Sequence, residues 1–272
     1  MTDNPRPPEG DWLGTPYLRF ERAGPVARCV VDRPDKRNAM TPAMYFGLRR
    51  AVDVVNRDTT LAGLLVTGTG DVFIPGGDLS QDGFEDDWAD LSDLLFMDNT
   101  PFEAIRNSAK PVVCAVNGIA EGGGLMIALL ADVTVASERA VFRAPELFRG
   151  IADMNYANIL PQQIGFARAR DMLFTGRRVS AQEAADWGMI ARVVPHDDLA
   201  STADEVLQAC CYGAPDARFA VKRAINAQYG TYDRMTMDRS LFGPETREGG
   251  RAFAERRAPD WIPEAIRPDG RL

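Results

Sequence analysis

Two stretches of this chain carry residue types suited to moving a proton beside a carbonyl. The first is Ala115-Val116-Asn117-Gly118-Ile119-Ala120-Glu121-Gly122-Gly123-Gly124-Leu125, in which a β-rich run ends in three glycines and passes into an apolar stretch of helical character. Backbone N–H groups at such a helix start have no partner inside the helix and can hold a developing negative oxygen. The second is Val141-Phe142-Arg143-Ala144-Pro145-Glu146-Leu147, where Glu146 supplies a carboxylate. One carboxylate beside an oxyanion hole suffices to take a proton from the carbon next to a carbonyl and to return it. The plain alternatives are a solvated Glu146 paired with Arg143 or Arg149, and glycines present only for close helix–strand packing. These glycines lack the G-x-G-x-x-G order and its acidic ribose partner, so a dinucleotide fingerprint does not fit.

The elements that must position these groups alternate along the chain. Tyr17 to Glu21 and Val26 to Val31 read as a hairpin about Ala23-Gly24-Pro25. Thr41 caps a helix with Pro42 at its first position and Met44, Leu48, Val52 and Val55 on one face. Leu61 to Thr67 is a strand, Val72 to Ile74 a second extended piece before Pro75-Gly76-Gly77-Asp78, and an acidic helix-like segment spans Asp82 to Asp98. Strand, glycine turn and helix then recur through Pro111 to Val116, the helix from Leu125, and Val133 to Ala136. This loose repeat predicts a coil of similar layers. From Ser180 the pattern turns helical, with Ser180-Ala181-Gln182-Glu183 as a capping box and Gly188 as a stop, and amphipathic helices run on from Leu199. The expected division is a flexible start over 1–14, a core over 15–198 and a C-terminal helical region over 199–272.

Arg33-Pro34-Asp35-Lys36-Arg37-Asn38-Ala39, Phe73-Ile74-Pro75-Gly76-Gly77-Asp78-Leu79, the Asn117 to Gly124 run and Phe142-Arg143-Ala144-Pro145-Glu146 stand in the order seen in the crotonase superfamily. The chain resembles an enoyl-CoA hydratase/isomerase from roughly Leu18 to Arg257. The resemblance implies an α/β fold, a crotonase-like spiral of repeated ββα turns with a C-terminal helical region. It also implies a homo-trimer or dimer of trimers, and an acyl-CoA substrate in which coenzyme A is part of the substrate and no separate cofactor is needed. The thioester oxygen would be held by the N–H groups of Gly77 and Gly123, with Glu146 as the base. Both positions are glycines in tight turns, which lets a ligand approach the backbone. Lys36, Arg37, Ala39, Gly77, Asp78 and Leu79 would meet coenzyme A, and Lys222 resembles the late family lysine near the adenosine phosphate. Surface charge is the alternative for Lys36 and Arg37.

Hydratases of this fold carry a second glutamate in the helix after the glycines, and here that place is Met126. Shifting a double bond needs one base only, so the expected reaction is isomerisation of an enoyl-CoA. Hydration with Asp153 or Glu121 as a surrogate acid is the second reading, and an acyl-CoA-binding protein without catalysis is the third. Asp153 also fits a helix cap, and Glu121 the positive end of the following helix dipole. Met126, Tyr156 and Phe84, with Trp88, Leu91 and Leu95, are the candidate acyl-pocket residues, a core face being the alternative.

Composition bounds the rest. With 272 residues, 45% of them apolar, and Lys+Arg 31 against Asp+Glu 39, the net charge of −8 excludes a general nucleic-acid or anionic-membrane partner. Cys29, Cys114, Cys210 and Cys211 have no ligand spacing and read as reduced thiols. The start lacks a hydrophobic signal core, and the longest apolar run, Leu125 to Ala131, is too short to span a bilayer, so a cytoplasmic location is expected. The lone His196 sits in a turn, which leaves a Ser-His-Asp triad or a metal cluster without a centre.

Overall fold

The chain opens with the hairpin that Gly24 permits. In the computed structural model, which describes residues 13–78, 100–241 and 243–270, β1 (Leu18–Ala23) and β2 (Val26–Val31) pair antiparallel, and Gly24 turns between them at φ +60°. Helix α1 (Pro42–Arg57) starts where Thr41 accepts a hydrogen bond on Oγ1 from the Met44 N–H at 3.3 Å. Strands then come in pairs. β3 (Gly63–Gly68) is followed by β4 (Val72–Ile74). After α2 (Pro101–Arg106), β5 (Val112–Val116) is followed by β6 (Ile119–Glu121). After α3 (Gly123–Leu130), β7 (Val133–Ser137) is followed by β8 (Val141–Arg143). Helices α4 (Met154–Ile164) and α5 (Phe166–Thr175), strand β9 (Val179–Ser180), helix α6 (Ala181–Asp186) and strand β10 (Arg192–Val194) complete the core.

The first strand of each pair enters one sheet and the second strand another. The large sheet has the order β1-β2-β3-β5-β7-β10 and the small one β4-β6-β8-β9. Because β3, β5 and β7 are parallel neighbours, as are β4, β6 and β8, the chain climbs by one strand in each sheet per turn. This is the spiral of ββα turns that the sequence implies. The fold departs from the sequence reading at α4 and α5, which precede Ser180; Pro161 inside α4 and Gly165 between the two helices interrupt the helical signal.

Both faces of the central parallel strands of the large sheet are buried, as parallel sheets require. In β5 the period of two sends Val112, Cys114 and Val116 into the main core with Phe73, Leu125 and Phe142. Val113 and Ala115 face the other way, onto Leu199, Ala203, Val206 and Leu207 of α7 (Leu199–Cys211). Helices α8 (Pro215–Ala227), α9 (Arg234–Leu241) and α10 (Pro244–Ala254) follow. Among the described residues no helix is long and apolar enough to cross a membrane. Cys29 and Cys114 are buried, and burial pushes the Cys29 thiol up to about 12.

Helix α3 lies so close to β4 that a Cβ on Gly124 would stand 2.0 Å from the Ile74 carbonyl oxygen. Gly124→Ala must displace strand backbone, and thermal or denaturant melts should show a loss of about 1–3 kcal/mol.

Candidate active site

Two glycine turns meet where β4 and β6 end. Gly76, at φ +106°, accepts the Met40 N–H on its carbonyl at 2.9 Å, and the Asp78 N–H donates to the Met40 carbonyl at 2.8 Å. Those bonds form a single parallel bridge between Met40 and Gly77. In a parallel bridge both bonds run to the residues flanking Gly77, so the Gly77 N–H faces away from Met40. It makes no hydrogen bond among the described residues. Opposite it, Gly122 caps α3 at φ 55° and ψ −129°, backbone that favours glycine. Gly123 is the first residue of the helix, so its N–H lies outside the helical ladder. The turns touch: a Cβ on Gly122 would lie 3.4 Å from the Gly76 Cα. Gly122 supplies the turn, Gly123 an N–H outside the helical ladder and Gly124 the close packing on Ile74, so the packing reading accounts for Gly124.

Glu146 reaches this place from the end of β8. It opens a short 3-10 turn (Glu146–Arg149) that Gly150 closes at φ 71°. The same ideal Cβ on Gly122 would stand 3.1 Å from Glu146 Oε1, and Oε2 is buried with no hydrogen-bond partner among the described residues. The arginine partners proposed as an alternative are engaged elsewhere. Arg143 donates to the Gly176 carbonyl at 2.6 Å, and the Arg149 guanidinium lies over the Phe253 ring at 4.4 Å from its centroid. Burial, followed by the charge of Asp153, raises the Glu146 carboxyl well above the usual carboxylate range; Arg149 offsets this in part and Glu121 adds to it.

Asp153 is the cap of α4, as its residue type suggests, with Oδ1 accepting the N–H groups of Asn155 at 2.9 Å and Tyr156 at 3.1 Å. It is also a titrating neighbour of Glu146: burial pushes its carboxyl up to about 6 despite those two bonds. Glu121 is held by Arg178 at 3.2 Å, directly before the start of α3.

Three expected roles change. Tyr156 is fully buried, and its hydroxyl donates to the Gly122 carbonyl at 2.5 Å, because a sealed O–H needs an acceptor; it braces the hole and does not line an acyl pocket. That carbonyl also accepts the Met126 N–H at 3.1 Å, and Met126 packs in the main core. Lys222 is buried with its ammonium 2.9 Å from Asp132 Oδ2, beside a cavity of about 330 Å³ at the C-terminal end of α3, away from the hole. A cation so buried takes a carboxylate partner before a surface phosphate. Asp78 is likewise engaged, at 2.7 Å from Arg33, whose guanidinium also donates to the Ala39 carbonyl at 2.8 Å. Lys36 and Arg37 are exposed. Leu79, Phe84, Trp88, Leu91, Leu95 and the acidic 82–98 stretch lie outside the described residues.

The residue missed from sequence is Tyr45 on α1, whose hydroxyl is 2.2 Å from the point where a Cβ on Gly123 would stand. Burial, then the charges of Glu146 and Asp153, raises its phenol. The available signal was a hydroxyl-bearing aromatic one position after Met44, at the edge of the buried stripe.

This chain has known relatives. The enoyl-CoA hydratase/isomerase family profile matches residues 21–264, and the chain belongs to that family. A mevalonyl-coenzyme A hydratase of Aspergillus fumigatus is 30% identical over 257 residues, 87% of this chain and 91% of that protein. A carnitinyl-CoA dehydratase of Salmonella typhi is 33% identical over 270 residues, 90% of this chain and 97% of that protein. Among solved structures, an enoyl-CoA hydratase of Mycobacterium avium subsp. paratuberculosis superposes with a TM-score of 0.77 at 27% identity, covering 91% of this chain and 99% of that one. The protein is thus a lyase or isomerase of this family.

A carboxyl whose pKa is raised becomes a base only as pH rises through that value. The acid limb of kcat/KM should therefore fall above the ordinary glutamate range of about 4.5, and Asp153→Asn should move it to lower pH by removing the second-largest cause of the shift. A limb that stays in place in the variant would detach Asp153 from the base. Glu146→Gln should abolish turnover while acyl-CoA affinity changes by a few-fold at most, as isothermal titration would report. The same variant should gain thermal stability over the parent with rising pH: a raised carboxyl contributes its full stability below its unfolded pKa and loses it as pH rises through the folded value.

Proposed function

We propose that this protein shifts the double bond of an enoyl-CoA, converting a β,γ-enoyl thioester to the conjugated α,β form. The observation that supports this most directly is Met126, an apolar core side chain on α3 where a second carboxylate would stand in a hydratase of this fold. Glu146 takes the proton from the α carbon. The electrons pass into the thioester oxygen, which the N–H groups of Gly77 and Gly123 hold as a dienolate. Glu146 then returns the proton at the γ carbon, so no water and no second acid is consumed. Each fixed donor of such a hole is worth about 10²–10³ in rate, which is why two backbone N–H groups and one strong base suffice. Burial makes Glu146 a stronger base than a surface glutamate.

One observation favours a second reading. Asp153 shares the buried environment of Glu146 and holds its proton up to about pH 6, which suits a surrogate acid for adding or removing water. The two named relatives, a hydratase and a dehydratase, are consistent with it.

Supplied with a β,γ-enoyl-CoA, the protein should form the conjugated thioester, followed by ultraviolet absorbance, faster than it hydrates an α,β-enoyl-CoA. Hydration that prevails across several chain lengths would overturn isomerisation in favour of the Asp153 reading.

A further inference from the structure

We infer that Tyr45 is a catalytic residue, its hydroxyl donating a third hydrogen bond to the thioester oxygen beside the N–H of Gly123; this rests on the acyl-CoA reading of the site but not on which reaction follows. The case begins with position. Helix α1 starts immediately after Met40, the residue bridged to Gly77, so its first turn is tied to one half of the hole. From there Tyr45 crosses to the other half. Its hydroxyl oxygen is the nearest atom to the open side of Gly123, 2.2 Å from the ideal Cβ position, with the ring edge at 3.0 Å. Any side chain at residue 123 would collide with it. The smallness of Gly123 therefore gives both a ligand and this hydroxyl access to the same place.

The hydroxyl is also poised and unspent. Tyr45 makes no side-chain hydrogen bond among the described residues, in contrast to Tyr156, whose hydroxyl is committed to the Gly122 carbonyl. Its ring is steadied by an edge contact with Phe102, centroids 6.2 Å apart and planes at 66°. An ordered, half-buried O–H without a partner is ready to donate to an oxygen arriving beside it. Burial, then the charges of Glu146 and Asp153, disfavours ionisation of the phenol, so Tyr45 keeps its proton throughout. It therefore acts as a fixed dipole aimed at growing negative charge, and no proton leaves it. A tyrosine hydroxyl in an oxyanion hole is established chemistry in other enzymes.

The test uses Tyr45→Phe, which keeps the ring and removes the donor. The thioester carbonyl of bound, carbon-13-labelled butyryl-CoA is read by infrared difference spectroscopy. This saturated ligand does not turn over, so the result is independent of whether the enzyme isomerises or hydrates. Wild type should shift the stretch to lower frequency than free thioester, and the variant should lose part of that shift. In the same variant kcat should fall about 10²-fold, the loss expected for one oxyanion donor, with butyryl-CoA affinity within a few-fold of wild type. If the variant does not fold, replacing Tyr45 by 3-fluorotyrosine, a stronger donor of nearly the same shape, should deepen the shift instead. An unchanged carbonyl stretch in a folded variant overturns the assignment. So does a variant that moves the acid limb of kcat/KM while leaving the stretch unaltered, since the hydroxyl would then serve Glu146 and not the thioester.

Discussion

The site depends on two backbones being allowed to touch. Gly76 and Gly122 meet where β4 and β6 end, with Glu121 O, Gly122 Cα and Gly76 Cα so close that side chains would fill the gap. Parallel pairing of those strands sets the approach, and the spiral delivers the strands to neighbouring positions. The proposed donors and base are all referenced to this contact. Gly77 and Gly123 follow the touching residues by one position each, and Glu146 reaches over Gly122. A donor pair fixed by two strands needs no reorganisation when a charge appears, which is the source of its catalytic value.

Placing a carboxylate against that contact costs stability. Oε2 of Glu146 is buried with no hydrogen-bond partner among the described residues, and its neighbour Asp153 is also a carboxyl. A buried acid relieves this by holding its proton more tightly, and that same adjustment makes it a better base. Asp153 also has a structural task there, capping α4 through two N–H groups. One aspartate thus starts a helix and tunes the reactive group, and the helix it starts returns Tyr156 to the Gly122 carbonyl.

Local chemistry was legible in the sequence and long-range contact was not. Thr41-Pro42, Gly24 and the Ser180-to-Glu183 box act within a few residues of themselves, and the structure has each where the sequence puts it. The ordered motifs placed Glu146 and the glycines on common ground because resemblance carries spatial information that periodicity lacks. Tyr45 was not found, since its importance lies in distance to Gly123, far away along the chain. Lys222 was matched to the family lysine near the adenosine phosphate for the same reason: nothing near it in sequence announces Asp132, its partner across the fold. Asn38 and Asn117 show the same limit. Both amides donate to the Val72 carbonyl, at 2.7 and 3.2 Å, so two motif asparagines secure the start of β4.

The base-bearing loop is finished by the C-terminal helices. Ala152 donates its N–H to Ser240 Oγ at 2.7 Å, and Thr246 Oγ1 donates to the Gly150 carbonyl at 3.0 Å. Gly150 has no room for a Cβ because α10 passes 2.4 Å from that point. Synthesis runs from the N-terminus, so the hole and Glu146 leave the ribosome well before Ser240 and Thr246 do. In the nascent chain the loop has its reactive carboxylate but none of these clasps. The order of residues along the polypeptide thereby schedules the site's assembly: the proposed donors and Glu146 are made first, and the groups that clasp the Glu146 loop are made last.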